Sequence, residues 1–291
     1  MNIIFTIQGG LGKSIVATAV CKAIKKKYTD CNLIVVTAYP EVFTNLHFID
    51  RVFAFGEEAY FYSKYIENQE VLLFNNDPYV YTQHILSKEH LIKTWCNIYG
   101  LDYDNETPEI SINARELTFY ANKYGTEKPI LVIQTNGGAA QQETKYSWAR
   151  DIPNYITQKV IDEFSKEYHI YHIRREDQFS FENTTTLTDG FKGVASVIYM
   201  SKKRFLMDSF AQHTASALGL KSTVLWIANK PEVFGYRLHD NIIANPETIK
   251  PDLRNSFLTK YQITGALNEY PYRDESEMFD IDRIIESIVT Q

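Results

Sequence analysis

The chain has 291 residues, of which 44% are hydrophobic and 23% are charged, and its formal net charge at pH 7 is -6. This length favours two domains of similar size, and the balance of apolar and charged residues excludes a long disordered or fibrous protein. The negative charge argues against extended nucleic-acid binding, because that function needs a broad basic surface.

The sequence also lacks the signs of export. No basic segment followed by a long apolar run opens the chain, and no stretch reaches the roughly 18 apolar residues of a transmembrane helix. Cys21, Cys31 and Cys96 lack metal-ligand spacing and cannot all pair in disulfides. We therefore expect a cytoplasmic protein without a transmembrane segment.

The first half of the chain predicts a parallel β-sheet with helical crossovers. Asn2–Ile7 is a short apolar run that ends in two glycines, which is typical of a buried strand entering a tight turn. A helix at 14–27 and a second strand at Asn32–Thr37 complete a βαβ unit. The other elements expected in this half are strands at 51–55 and 70–74, a strand or extended segment at 109–112, and helices at 81–99 and 115–124.

Turn-forming residues at 125–129 predict a boundary between two domains, residues 1–126 and residues 127–291. The elements expected in the second half are strands at 130–134, 169–174, 196–199, 204–207 and 223–227, and helices at 153–167 and 212–218. A final amphipathic helix is expected at 276–289. The alternation in both halves predicts an α/β protein with two Rossmann-like, doubly wound domains facing a cleft, and a C-terminal amphipathic helix.

The Gly-rich turn at 8–14, QGGLGKS, is similar to several nucleotide-binding loops but fits none fully. The P-loop pattern needs glycine where Ile7 stands, and the third glycine of the dinucleotide pattern falls on Ile15. The variant P-loop of partition-type ATPases fits except that Gln8 replaces its leading lysine. That family also has an aspartate pair after its second strand, where this chain has TAY at 37–39. A P-loop ATPase and a turn that holds no phosphate both stay open.

A second polar turn, DSFAQHTASALG at 208–219, joins an expected strand to a helix of small residues. The first turn of such a helix presents free backbone N–H groups and the positive end of the helix dipole. This segment therefore predicts a binding site for an anion with the shape of a diphosphate.

Several blocks of the sequence, taken in order, resemble glycosyltransferase family 9, the heptosyltransferase-like enzymes. The blocks are GGLGKSIVATAVCKAIKKKYTDCNLIVVTAYPEVFTNLHFIDRVFAF at 9–55, KYSW at 145–148 and DSFAQHTASALG at 208–219. The resemblance implies the GT-B arrangement, with the acceptor mainly on the first domain and a nucleotide-sugar donor on the second. It also implies no metal and no cofactor, since a helix dipole and cations can neutralise the leaving diphosphate in place of Mg²⁺.

The resemblance also implies roles for particular residues. Those expected to bind the donor are Lys145, Asp208, Ser209 and His213. Those on the acceptor-side turn are Gly9, Gly10 and Gly12. The segment EVFGY at 232–236 is expected to form the far wall of the nucleotide pocket.

Two positions depart from the family's pattern. After the Gly-rich turn the family has an aspartate, thought to be the base that deprotonates the acceptor hydroxyl, and this chain has Lys13 there. A charged lysine cannot accept a proton, so either another group is the base or Lys13 binds an anion. We keep Lys13 as the candidate catalytic residue and consider Glu41 and Asp50 as replacement bases. Phe210 stands where the family has the glycine of the phosphate turn.

Together these features favour a metal-independent glycosyltransferase that moves a sugar from a nucleoside diphosphate to a hydroxyl of a saccharide or another acceptor. Two alternatives remain. One is a deviant P-loop ATPase of the partition type, and the other is a catalytically inactive nucleotide-sugar-binding protein that kept the fold and lost the base.

Overall fold

The computed structural model of the chain describes residues 1–86, 88–137, 149–251 and 272–291. These residues form two parallel β-sheets with helices packed against them. The strands of the first sheet are β1 (Asn2–Ile7), β2 (Asn32–Thr37), β3 (Arg51–Ala54) and β4 (Val71–Phe74). Their order is β3-β2-β1-β4, and every pairing is parallel.

The second sheet has six parallel strands in the Rossmann order. They are β5 (Ile130–Ile133), β6 (His169–Ile173), β7 (Thr184–Leu187), β8 (Lys203–Met207), β9 (Thr223–Trp226) and β10 (Asp240–Ile243). Their order is β10-β9-β8-β5-β6-β7, so the chain runs outward in opposite directions from the central pair β5 and β8. The carboxyl ends of these two strands flank the switch-point crevice, where ligands bind in open parallel sheets.

Helices connect these strands in the described parts of the chain. They are α1 (Leu11–Lys27), α2 (Phe61–Tyr65), α3 (Thr82–Ile85), α4 (Leu91–Ile98), α5 (Ala114–Tyr124), α6 (Asn154–Phe164), α7 (Phe191–Met200), α8 (Phe210–Ala217), α9 (Pro231–Phe234) and α10 (Ile281–Val289). Short 3₁₀ turns lie at Pro40–Val42, Pro78–Val80, Pro246–Thr248 and Glu275–Glu277. None of the helices in the described ranges is both long and apolar enough to cross a bilayer.

Helix α1 begins directly at the Gly-rich turn. Gly9 has a φ of +113°, which residues with a side chain rarely adopt, and Gly10 is the N-cap. Residues 13–21 are all buried, because α1 packs against its own sheet and also against α8. Ser14 lies inside the helix, and its hydroxyl shares a 3.2 Å hydrogen bond with the hydroxyl of Thr37.

The two domains share one apolar core. This core joins Ile3 of β1 and Val20 of α1 to Ala215 of α8 and Trp226 of β9. Helices α5 and α7 form a second contact between the halves. The crossing of α1 and α8 brings the first turns of both helices together at the domain junction.

The predicted fold class is confirmed, but one predicted strand is wrong. Residues 196–199 lie within α7 and not in a strand. The segment is apolar and rich in β-branched residues, so its pattern cannot separate a buried strand from a buried helix. Because β7 and β8 belong to one parallel sheet, the chain between them must cross over, and α7 forms that crossover.

Other differences lie at the ends of elements. The helix expected at 81–99 is two helices, α3 and α4, because the ring of His90 caps a new helix by accepting a hydrogen bond from Ile92 N. Helix α10 begins at Ile281, where Asp280 is the N-cap, and not at 276. Strands β7 and β10 and the short helices α2 and α9 were not expected, and residues 109–112 do not form a strand. The predicted domain boundary at 126 falls in the loop between α5 and β5.

Candidate functional site

The turn between β8 and α8 lies at the switch point of the second sheet. Ser209 is the N-cap of α8 and has extended backbone. The side chain of Gln134, directly after β5, fills the other side of the turn. Its Nε2 donates to Ser209 Oγ at 3.1 Å, and its Oε1 accepts from Ala211 N at 3.3 Å. The sequence did not single out Gln134, although its place at the end of the first strand of this domain marks it as a switch-point residue.

Asp208 lies behind this turn. It is buried, and its carboxylate accepts a hydrogen bond from Asn229 Nδ2. Burial raises the pKa of Asp208, while the charge of Arg150 and the Asn229 hydrogen bond oppose that effect. An ionised carboxylate in this position would repel an anion, so we propose that Asp208, predicted to bind the donor, does so only indirectly, by shaping the turn.

His213 of α8 lies at the contact between the two domains. Its Nδ1 shares a 2.8 Å hydrogen bond with the hydroxyl of Tyr236. Burial, together with the charges of His90 and His239, lowers the pKa of His213 to about 3, so the ring is neutral at pH 7. A Cβ atom at Gly12 would stand 3.2 Å from His213 Cδ2. The structure thus brings together Gly12, His213 and the segment expected as the pocket wall.

Lys13 points into the first domain. Its ammonium forms an ion pair with Asp77, with 2.9 Å between Nζ and Oδ1, and lies 4.8 Å from the ring centre of Tyr79 and 5.6 Å from that of Trp95. Lys13 as a whole is only 7% exposed to solvent. The partner Asp77 follows β4 in the sequence LLFNNDP, and nothing in its spacing marked it before the fold was known.

A cavity of about 450 Å³ opens beside the α8 turn. It lies at the carboxyl ends of β5, β6 and β7 and is closed by α7 and the start of α8. Its apolar lining comes from Ile173, Leu187, Val194 and Phe210, and its polar lining includes Gln134, Asn136, Glu176, Thr188 and Asp189. This size and mixture suit a ligand such as a nucleoside. The sequence missed the cavity because β7 and α7, which form one side of it, were not expected.

Hydrogen bonds fix the rim of this cavity. Asp189 accepts from Lys123 Nζ at 2.9 Å and from Tyr124 OH at 2.7 Å. Partial burial would raise the pKa of Asp189, but these two hydrogen bonds, a third from Gly190 N and the charge of Lys123 together lower it. Arg174 donates to backbone carbonyls of the loop that follows β6, including Gln178 O at 2.9 Å. Glu176 is exposed on this braced loop, and no described residue is paired with its carboxylate.

Some predicted features lie outside the described residues. Lys145, expected to bind the donor, and the whole KYSW block at 145–148 belong to the stretch 138–148. In the ranges that the structure does describe, no three or more His, Cys, Asp or Glu side chains are grouped as a metal site.

Neither a protein-family model nor a curated protein matches the sequence. Solved structures do match over most of the chain. A glycosyl transferase family 9 protein from Veillonella parvula DSM 2008 is 13% identical with a TM-score of 0.67, and the match covers 99% of this chain and 96% of that chain. The ADP-heptose LPS heptosyltransferase II of E. coli is 12% identical with a TM-score of 0.60, covering 84% of this chain and 90% of its own.

A third similar structure is TibC, an iron-containing dodecameric glycosyltransferase from enterotoxigenic E. coli H10407. It is 12% identical with a TM-score of 0.69, and the match covers all of this chain, 100%, and 78% of TibC. These likenesses confirm the expected resemblance at the level of the fold. The chain has the two-domain GT-B fold found in glycosyltransferase family 9.

Proposed function

We propose that the chain is a glycosyltransferase that takes a sugar from a nucleoside diphosphate and transfers it to an acceptor hydroxyl. The observation that carries the proposal is that the cavity opens onto the first turn of α8. Gln134 and Phe210 both line the cavity; Phe210 belongs to that turn, and Gln134 is hydrogen-bonded to it. A nucleoside in the cavity would place its diphosphate at the N-terminus of the helix. The fold shared with an ADP-heptose LPS heptosyltransferase supports this assignment.

The cavity offers separate contacts to the base and to the ribose. Ile173, Leu187 and Val194 provide apolar faces for a base, as is usual for ligand pockets. Glu176 lies in the loop after β6, the strand next to β5. In Rossmann-like proteins an acidic residue in the corresponding region accepts hydrogen bonds from ribose hydroxyls. We take ADP-heptose as the first donor to test.

The α8 turn binds the diphosphate. The hydroxyl of Ser209 and the amide Nε2 of Gln134 now bond to each other at 3.1 Å, and each can instead donate to a phosphate oxygen. The helix dipole and a cation from Lys145 stabilise the negative charge that develops as the sugar leaves. Transfer without a metal ion is part of this proposal.

The Gly-rich turn forms the acceptor side. Gly9 and Gly10 make the bend after β1, and Gly12 lets the first domain approach the α8 turn. Because the charge of Lys13 is paired with Asp77, we propose that Lys13 organises this side of the cleft and does not contact the β-phosphate. The acceptor is a saccharide or another molecule with a free hydroxyl.

We also propose a cytoplasmic setting. Cys21, Cys31 and Cys96 are free and buried. Burial raises the pKa of Cys96 to about 12 and that of Cys21 well above its ordinary value, so these thiols are poor nucleophiles. Unpaired thiols of this kind suit a reducing compartment.

A thermal-shift screen with ADP-heptose, UDP-glucose, GDP-mannose and ATP with Mg²⁺ tests the proposal against its alternatives. A ligand present at 100 times its dissociation constant stabilises by about 2.7 kcal/mol, which raises the melting temperature by about 5 °C. We expect at least one nucleotide-sugar to do so. A shift with ATP and Mg²⁺ alone would favour the P-loop ATPase, and donor binding without release of the nucleoside diphosphate would favour the inactive binding protein.

A further inference from the structure

The carboxylate of Asp77 lies at the same edge of the first sheet as the Gly-rich turn. Strand β4 pairs with β1 in parallel, so the residues that follow both strands are neighbours. Oδ1 of Asp77 forms an ion pair with Lys13 Nζ at 2.9 Å and accepts a hydrogen bond from Tyr79 N at 3.0 Å. No described residue donates to Oδ2.

The two partners of this ion pair differ in exposure. The side chain of Lys13 is 5% exposed, whereas that of Asp77 is 46% exposed. The lysine is enclosed by the rings of Tyr79 and Trp95 and by the backbone of Gly9, where an added Cβ would stand 3.0 Å from Lys13 Cδ. The cation is therefore fixed inside the domain, while the side chain of Asp77 is half-exposed to solvent.

The segment that carries Asp77 is held rigidly. Asn76 N donates to the hydroxyl of Tyr99 at 2.9 Å, and the ring of Tyr99 is stacked on Phe74 with 4.0 Å between ring centres. On the other side, Tyr79 makes a ring contact with Phe234 of α9 in the second domain. Asp77 thus stands at the domain junction on a fixed backbone, as a group that must meet a substrate requires.

Glu41 and Asp50, the two replacement bases considered from the sequence, are less suitably placed than Asp77. Asp50 precedes β3 and so lies at the opposite edge of the sheet, where it accepts from Leu33 N at 2.7 Å and pairs with Lys25. Glu41 lies on the 3₁₀ turn after β2 and acts electrostatically on Lys192 of α7. Asp50 therefore lies away from the first turn of α1, and Glu41, which follows β2 at the carboxyl edge of the sheet, has no ion pair with Lys13 among the described residues.

We propose that Asp77 is the general base of the transfer reaction and that Lys13 is the positioning residue that orients it. This inference rests on the proposed function. Oδ2 of Asp77 takes the proton of the acceptor hydroxyl while the acceptor oxygen forms a bond to the anomeric carbon of the sugar. The bond from that carbon to the β-phosphate oxygen breaks, and its electron pair leaves with the nucleoside diphosphate.

The test uses Asp77→Asn, which keeps an oxygen for Lys13 and Tyr79 but removes the negative charge and the ability to accept a proton. The probes are the nucleotide-sugar that binds among ADP-heptose, UDP-glucose and GDP-mannose, with water and glycerol as acceptors. We expect kcat for nucleoside diphosphate release to fall about 100-fold with donor affinity unchanged. In Asp77→Ala, sodium formate restores turnover, because it supplies the missing carboxylate.

Matched variants separate this role from a structural one. Lys26 and Asp104 form an ion pair at the far end of α1, so Asp104→Asn should leave kcat unchanged. Lys13→Met should lower kcat about tenfold and alter the acidic limb of the pH-rate profile. Lys13→Arg, which keeps the positive charge, should have the kcat and the pH-rate profile of the wild type.

Two kinds of failure can be told apart. If Asp77→Asn turns over as fast as an active wild-type protein, Asp77 is not the base. If Lys13→Met keeps both kcat and the pH profile, Lys13 does not position it. A wild-type protein that binds none of the three nucleotide-sugars, or binds one and never releases the nucleoside diphosphate, contradicts the proposed function itself.

Discussion

Gly12 of α1 and His213 of α8 touch across the domain boundary. A Cβ atom at Gly12 would lie 3.2 Å from His213 Cδ2 and 3.5 Å from the Cα of Phe210. His213 has little freedom to move away, because it is hydrogen-bonded to Tyr236. The acceptor-side turn and the proposed diphosphate turn are therefore already in contact, and a side chain at residue 12 would push them apart.

Replacing Gly12 by leucine should destabilise the protein by about 1–3 kcal/mol, the usual cost of overpacking, and weaken donor binding. Gly10→Ser is the control, because nothing lies within 4 Å of a Cβ there, the backbone is extended and serine is a good N-cap. Urea unfolding and donor titration measure both effects. Equal stability of Gly12→Leu and the wild type would mean that the two turns are not held together.

Replacing Ser209 by alanine should reduce donor affinity about two- to twelvefold, since one hydrogen bond contributes roughly 0.5–1.5 kcal/mol. The extended backbone at this N-cap accepts alanine, so the fold should be kept. Ser216→Ala, near the other end of α8, is the matched control and should bind the donor as the wild type does. Calorimetric titration with a nucleotide-sugar distinguishes them, and unchanged affinity in Ser209→Ala would remove this hydroxyl from the site.

Filling the cavity should block the nucleoside. Thr188 lines the cavity and is exposed, so Thr188→Trp adds bulk there without disturbing the core. Thr185→Trp, on an exposed position of the edge strand β7 that precedes Thr188, adds equal bulk away from the cavity lining. We expect Thr188→Trp to lose the thermal shift caused by the donor and Thr185→Trp to keep it. If both respond to the donor equally, the nucleoside binds elsewhere.

Acid should destabilise the protein through its buried histidines. Burial lowers the pKa of His213 to about 3 and lowers the pKa of His90, His172 and His239 to about 4, from 6.5. The unfolded chain therefore binds protons that the folded protein does not. The free energy of unfolding is highest above pH 6.5 and decreases as the pH falls toward 4. At about pH 5.5 each of these histidines lowers the free energy of unfolding by about 1.4 kcal/mol relative to its value at high pH.

Urea unfolding at about pH 7 and about pH 5.5 measures this loss. His172→Gln removes one of the four titrating rings, and glutamine can still bond Thr135, which His172 Nε2 meets at 3.0 Å. The loss should shrink by about a quarter in this variant. Unchanged stability of the wild type over this range would show that the histidines titrate normally in the fold.

Much of the fold could be predicted from local patterns. Buried parallel strands such as Asn32–Thr37 are continuous apolar runs, and the glycines after β1 mark a tight turn whatever ligand it serves. The α7 segment shows the limit, because an apolar run with several β-branched residues fits a buried strand as well as a buried helix. Only the need for a crossover between parallel strands decides between them.

The candidate site was less predictable, because its members meet only in three dimensions. Ser209 and His213 could be found in one short motif, whereas Gln134 reaches the same turn from 75 residues away. Asp77 carries no local signal, and its role follows from the ion pair with Lys13 and from their unequal exposure. The cavity depends on a polar strand, TTTL at Thr184–Leu187, that lacks apolar alternation.

The most direct test of the account is a crystal structure of the protein with a bound nucleotide-sugar. We predict that the nucleoside fills the cavity between Ile173 and Val194, with phosphate oxygens within hydrogen-bonding distance of Ser209 Oγ and the first backbone amides of α8. A nucleotide seated instead on the Gly-rich turn at 8–14, with its phosphates around Lys13, would contradict the account and restore the P-loop hypothesis.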